Sequence, residues 1–232
     1  MLKIAKKAIN SVIGIFGFKL IRRIPGIDAP LSLWESDQHF NEIYSAISTR
    51  TIVDKTRCYM IYQCAQHALS INGNVAEVGV YKGGTTKLLS NVFKETDKKI
   101  YAFDTFAGMP QSDPSKDTYK EGDFGDTSLE NVTAFLSDCK NVSIYKGIFP
   151  ISPNPAESDT FCLAHIDVDI YKSVLDCCAF FYPRMSKSGI IIFDDYGFPL
   201  CPGALKAVDE FFSDKPERSV YLTTGQCIVV KI

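Results

Sequence analysis

A surplus of charge of either sign is missing from this 232-residue chain: 25 Lys and Arg stand against 27 Asp and Glu, a formal net charge of −2. Nucleic-acid binding needs a clustered excess of Lys and Arg, and without a long basic run no nucleic-acid partner is expected. No apolar run approaches the roughly 20 residues that a bilayer-spanning helix requires. The eight cysteines, at positions 58, 64, 139, 162, 177, 178, 201 and 227, form no CxxC pair, and the three histidines have no zinc-ligand spacing beside them. Scattered through apolar segments, they read as buried, reduced thiols. Near the N-terminus an apolar stretch follows Lys3, Lys6 and Lys7, but Lys19 interrupts it and no small-residue cleavage site follows Arg22 and Arg23. A secretory signal is not expected, and the expected compartment is the cytoplasm. Internal repeats and low-complexity tracts are also absent.

The length suits one globular domain with a small appendage. In residues 1–23, Leu2, Ala5, Ile9, Val12, Ile13, Phe16 and Leu20 fall near one helical face with lysines mostly opposite, which predicts a basic amphipathic helix. Such a helix packs on its own domain or on a second subunit, or lies on a membrane surface, here the inner face. The stretch from Pro25 to Arg50 holds the only tryptophan, Trp34, and lacks the steady periodicity of a core element. Residues 1–50 are therefore expected to form a helical extension or lid, and residues 51–232 the main domain.

From Asp54 onward, helical and strand patterns alternate. A helix is expected from Asp54 to Leu69, then the strand NVAEVGV, a helix from Gly84 to Phe93, the strand KIYAFD, a helix from Leu129 to Ser137 and the strands VSIYKG and FCLAHIDV. A helix from Lys172 to Phe181, the strand GIIIFDD, a helix from Gly203 to Phe212 and a final pair SVYLTT and CIVVKI complete the series. Alternation of this kind predicts an α/β fold with a doubly wound, mostly parallel sheet and an antiparallel pair at its C-terminal end. The polar stretch from Gln111 to Asp126 reads as a surface loop.

Two acidic clusters carry the most chemistry. Asp167 and Asp169 follow one short apolar run in LAHIDVDIY, and Asp194 and Asp195 follow another in IIIFDDY. Open α/β sheets bind ligands at the carboxyl ends of their strands, so four carboxylates are expected to converge there. Crowded like charges call for a cation, and hard oxygen ligands select magnesium, calcium or manganese. Capping of the helix after DVD accounts for one of these acids at most. His165 sits within the apolar run, as a core histidine does, while Tyr171 and Lys172 read as helix-start residues and Tyr196 as packing or pocket-shaping.

A second constellation lies upstream. In VAEVGVYKGGTT a strand is followed by a turn rich in glycine and then by a helix, so backbone amides can approach an anion closely. The spacing is not the GxGxxG of dinucleotide sites, and a carboxylate is easier to accommodate than a pyrophosphate. Asp104 ends the next strand, where an acid accepts both hydroxyls of a ribose. In order and spacing, the two favour a nucleoside cofactor.

EVGVYKGGTT, FDTFAGMP, YKGIFP, HIDVDIYKS and YPRMSKSGIIIFDDYG together resemble the macrocin O-methyltransferases, metal-dependent sugar methylases that use S-adenosylmethionine. The resemblance runs from about residue 50 to the C-terminus and implies a Rossmann-like class I methyltransferase domain over 51–232. It implies that Glu77, Gly79, Val80, Tyr81 and Gly83 line the methionine end of the cofactor. Asp104, Thr105 and Phe106 would then hold the ribose, and Gly147, Ile148 and Phe149 the adenine. By the same carry-over Asp167, Asp194 and Asp195 bind magnesium, Asp167 is also the general base, and Asp169 has a supporting role. The implied acceptor is a small-molecule or glycan sugar hydroxyl, and the implied assembly a homo-oligomer. Departures from the family pattern at His165, Val168 and Lys187-Ser188 bear on sugar specificity. Two other readings stay open at this level: a metal-dependent glycosyltransferase using DVD, and a non-catalytic partner protein with the methyltransferase fold.

Overall fold

The structure is a computed structural model describing residues 32–232. The amphipathic helix expected over 1–23 lies outside the described residues. The chain divides into two compact units, Met1–Asp37 and Gln38–Ile232. The described part of the first holds a single helical turn, α1 (Leu33–Ser36), in which Ser36 Oγ donates to the Leu33 carbonyl.

The second unit starts with α2 (Gln38–Ile47) and α3 (Lys55–Ala68), followed by β1 (Asn74–Val78), α4 (Gly84–Phe93), β2 (Ile100–Asp104), α5 (Leu129–Phe135) and β3 (Val142–Lys146). It continues with β4 (Phe161–Ile166), α6 (Tyr171–Phe181), β5 (Met185–Phe193), α7 (Pro202–Phe212), β6 (Val220–Tyr221) and β7 (Cys227–Val230). The seven strands form one sheet in the order β3-β2-β1-β4-β5-β7-β6. The first five are parallel to their neighbours, β7 runs antiparallel to β5, and β6 antiparallel to β7. The sheet predicted from the alternating pattern is thus observed, with its antiparallel pair at the C-terminal end. Helices cover both faces, which is why all six residues of β4 are buried and read as a continuous apolar run.

Strand alternation sorts the side chains between the two layers. Ala76, Val78, Ala164, Ile166, Ile191 and Phe193 join the core beneath α6 and α7. The residues between them, including Glu77, His165 and Ile192, face the other way.

Two elements differ from expectation. The compact unit begins at Gln38 rather than near residue 51, because α2 buries Phe40, Ile43 and Ile47. Spacing of i, i+3 and i+7 is helical, but only three apolar anchors separated by polar residues carry it. Phe40 packs against Tyr59 and Tyr62 of α3, with ring centroids 4.9 and 5.4 Å apart. At the other end, SVYLTT contributes a strand of only two residues, since a turn closed by Gly225 donating to the Leu222 carbonyl ends the pairing.

Candidate active site

Asp167 and Asp194 each stand one residue beyond a parallel strand and extend its ladder: the Asp167 amide donates to Val78 and the Asp194 amide to Ile166, both at 2.9 Å. Adjacent strands therefore deliver the two acidic clusters to one place. One carboxylate oxygen from each of Asp167, Asp194 and Asp195 lies within 4.8 Å of the others, and Asp169, Asp195 and Cys201 form an overlapping group. Asp169 takes a left-handed backbone conformation (φ 55°), with its amide donating to Asp195 Oδ2 at 2.9 Å. Helix capping does not account for these acids. Ile170 occupies the N-cap of α6 without a side-chain bond, and Asp117, reaching in from the surface loop, accepts from the Tyr171 amide at 2.8 Å.

Behind the cluster runs a buried polar chain. Thr86 Oγ1 donates to Glu77, whose other oxygen meets His165 Nδ1 at 3.0 Å, while His165 Nε2 lies 3.3 Å from Asp194 Oδ1. Gln226 Nε2 donates to the same Asp194 oxygen at 2.7 Å, and Arg57 Nη1 donates to Asp194 Oδ2. Glu77, His165 and Asp194 are fully buried. Burial alone would discharge the imidazole, but its bonds to Asp194 and Glu77 push its pKa up to about 10, which favours the imidazolium. Against its own burial, Asp194 is held below the ordinary carboxylate range by that imidazolium and by Arg57. Asp167 is pushed well up by burial and then by the Asp194 charge; Asp195 is pushed up by burial and by its three acidic neighbours. Burial raises Asp169 to about 6.

A cavity of about 370 Å³ opens beside the cluster. Asp167, Asp169 and Asp195 line one part of its wall, and Gly79, Val80, Tyr81, Asp104, Thr105, Gly147, Ile148 and Phe149 line another. Asp104 Oδ1 accepts from the Phe106 amide at 2.6 Å and Oδ2 from the Tyr81 amide at 2.8 Å. Both donors sit in left-handed conformations (φ 48° and 50°), so the two turns bend around one carboxylate. Burial nevertheless pushes Asp104 upward.

Four expected site residues lie behind this wall rather than on it. Glu77 is bonded to Thr86 and His165, and Asp194 to Arg57, His165 and Gln226. Phe106 packs its ring with Val80, Val132 and Leu136. Gly83, at φ 87°, is the N-cap of α4 and faces Val132 and Phe135. Of the amides at the N-terminus of α4, expected to be free for an anion, that of Gly84 donates to the Arg50 carbonyl at 3.1 Å. Other residues were not singled out by the sequence: Arg57, Cys201, Tyr119, Phe124 and Phe198 line the cavity, and Gln226 supports Asp194. Their contacts span up to 169 residues of chain, and nothing local marks them. Tyr196 donates to Asp209 and lies off the cavity wall, and Lys172 pairs with Asp176 along α6.

This sheet order, with a ligand cavity at the carboxyl ends of β1, β2 and β4, defines a class I methyltransferase fold. Residues 44–216 match the Macrocin-O-methyltransferase (TylF) family, and the chain belongs to it. It is 26% identical over 186 residues to demethyldecarbamoylnovobiocin O-methyltransferase of Streptomyces niveus, covering 71% of this chain and 68% of that protein. Identity to mycinamicin III 3''-O-methyltransferase of Micromonospora griseorubida is 25% over 202 residues, with 78% of each covered. Among solved structures, the O-methyltransferase NovP superposes with a TM-score of 0.69 at 24% identity, covering 78% of this chain and 82% of that one. The calicheamicin methyltransferase CalS11 gives 0.64 at 16% identity, covering 90% and 94%. The protein is accordingly an O-methyltransferase, which sets aside the glycosyltransferase and non-catalytic readings. Among the described residues no helix is long and apolar enough to cross a membrane.

Proposed function

We propose that the enzyme transfers the methyl group of S-adenosylmethionine to a sugar hydroxyl, on a glycan, a nucleotide sugar or a glycosylated metabolite, with magnesium held by Asp167, Asp194 and Asp195. The observation that carries this reading is the single cavity walled on one part by the Gly79–Tyr81 turn and Asp104, and on another by half-buried and buried aspartates. Relatives named for methylating mycinamicin III at its 3'' oxygen, and TDP-rhamnose at its 3' oxygen, support a sugar as acceptor.

The donor set fits a divalent ion. Among the described residues, Glu77, Asp167, Asp169, Asp194 and Asp195 have only His165 and Arg57 as bonded cations, and repulsion from neighbouring acids adds to burial in raising Asp167 and Asp195. All candidate ligands are hard oxygens apart from Cys201, as magnesium prefers. When bound, magnesium polarises the acceptor hydroxyl and S-adenosylmethionine offers an electrophilic methyl group.

The chain's own residues supply placement and proton handling. Asp167, on the cavity wall, is the group that accepts the hydroxyl proton. Asp104, fixed by the Tyr81 and Phe106 amides, retains a second acceptor site on each oxygen for paired hydroxyls. Tyr119, Phe124 and Phe198 exclude water around the reacting centre. Positioning of this kind is worth roughly 7–11 kcal/mol of a bimolecular barrier. The test is methyl transfer from labelled S-adenosylmethionine to nucleotide sugars, lipid-linked glycans and glycosylated metabolites, with magnesium and after stripping with a chelator. Full-rate transfer by the stripped enzyme would refute the metal; methylation of simple phenols but of no sugar would refute the acceptor.

A further inference from the structure

Asp194 is the one proposed magnesium ligand that accepts side-chain hydrogen bonds on both of its oxygens. Oδ1 accepts from Gln226 and His165, and Oδ2 accepts from Arg57 Nη1. Asp167 and Asp195 reach the cavity wall, whereas Asp194 does not. A guanidinium thus stands on one of the two oxygens that Asp194 could present to an ion.

Arg57 is built to be held in this place and also to leave it. Its Nε donates to Asp54 Oδ2 at 2.9 Å, its Nη2 to the Ile52 carbonyl at 3.1 Å, and its guanidinium lies 4.8 Å from the centre of the Phe198 ring. Asp54 is half exposed, so a charged partner remains when the contact to Asp194 breaks. A lysine beside an incoming dication can give up its proton, but a guanidinium stays charged, so relief of the repulsion requires movement. Ile52, Arg57 and Phe198 all line the cavity, and any such movement is felt on its wall.

We propose that Arg57 is a resident cation that occupies the Asp194 arm of the carboxylate cluster and exchanges with the divalent ion, its release shifting the Thr51–Arg57 segment on the cavity wall. The inference rests on the metal site proposed above. It assigns Arg57 a positioning role: in the ion-free enzyme it keeps Asp194 paired and correctly aimed, and in the loaded enzyme it returns to Asp54.

The test compares Mn²⁺ affinity, by calorimetry or by the spin resonance of the free ion, between the wild-type protein, Arg57→Met and Arg57→Lys. Loss of a competing charge predicts Mn²⁺ binding at least about tenfold tighter in Arg57→Met, with Arg57→Lys, whose ammonium can shed its proton, between Arg57→Met and wild type. Equal or weaker binding in Arg57→Met overturns the inference and leaves the metal site standing. Absence of Mn²⁺ binding in every form overturns both. Should Arg57→Met fail to fold, the wild-type protein decides: hydrogen exchange over residues 51–57 is expected to change on adding Mn²⁺, and unchanged exchange sinks the proposal.

Discussion

Gly79 is where the cofactor turn and the carboxylate cluster touch, and its replacement by alanine tests how tightly they are joined. A Cβ on Gly79 would fall 1.7 Å from the carbonyl oxygen of Asp167 and 2.7 Å from its carbonyl carbon, where ordinary contact begins near 3.4 Å. Both are backbone atoms, so no side chain can swing aside, and one strand end must move by more than an ångström. The backbone at Gly79 also has φ 94°, which costs an L-residue about 1–2 kcal/mol on its own. Gly122 separates the two contributions, since it has nearly the same φ, 89°, with nothing within 4 Å of an added Cβ. Gly122→Ala is expected to cost only the conformational part, about 1–2 kcal/mol, or a fall in Tm of roughly 2–8 °C for a domain of this size. Gly79→Ala is expected to lose at least about 3 kcal/mol more, and to lower kcat about a hundredfold in whatever folds, because the Asp167 peptide is displaced. Urea unfolding of both variants with a methyl-transfer assay reads this directly. Stabilities within 1 kcal/mol of each other, or a Gly79→Ala enzyme of normal kcat, would refute the close approach.

Asp167→Asn and Asp195→Asn are each expected to lower methyl transfer by at least about a hundredfold while calorimetry shows S-adenosylhomocysteine binding retained; loss of binding with unchanged turnover of bound donor would contradict the assignment. His165→Ala leaves Glu77 and Asp194 buried without their shared partner, and should cost about 3–5 kcal/mol in urea unfolding. Glu217 supplies a pH test away from the site. Burial would raise its pKa, but Lys231 at 2.5 Å and the Tyr182 hydroxyl at 2.8 Å hold it at about 2 against an ordinary 4.5. A depressed folded pKa stabilises above pH 4.5 and is lost as pH falls toward 2, so Glu217→Gln should be less stable than wild type at neutral pH by about 3 kcal/mol, with the gap closing in that acid window. A gap that stays constant with pH would show that the ion pair does not carry it.

What was legible in the sequence was whatever a strand writes locally. Apolar runs ended by acids mark Asp167 and Asp194 because a strand buried on both faces admits a carboxylate before it emerges only where a buried partner satisfies it. The start of the helix at Asp54, which caps it by accepting from the Thr56 and Arg57 amides, and the Gly79 turn were readable for the same reason: short-range backbone chemistry fixes the residue type. Glu77 shows the limit. An acid inside a strand carries no sign of which layer it faces, and the register sets it opposite His165, where the pair satisfies itself behind the cavity. Arg57 and Gln226 were invisible because their partner lies 137 and 32 residues away, and nothing about an arginine on a helix announces a carboxylate from another strand. In α2, tertiary burial of three anchors makes a core helix from a segment whose polar residues conceal its period.

The site's geometry follows from parallel strands more than from loops. Glu77 pairs in register with His165, and His165 with Ile192, two residues before Asp194 on the same face of β5. One ladder therefore carries a hydrogen-bonded chain from Thr86, at the start of the helix after the cofactor turn, across three strands to the arm of the carboxylate cluster. Strand spacing fixes these distances before any ligand arrives, which is how a scaffold holds groups to the tolerance that alkyl transfer requires. The movable parts are assigned elsewhere: Arg57 of α3 contacts the same aspartate from outside the sheet and is held in turn by Ile52 and Asp54 of the segment before that helix. A rigid ladder with one cation that can leave separates the two demands on the site, since the acids stay aimed while the charge they face is exchanged.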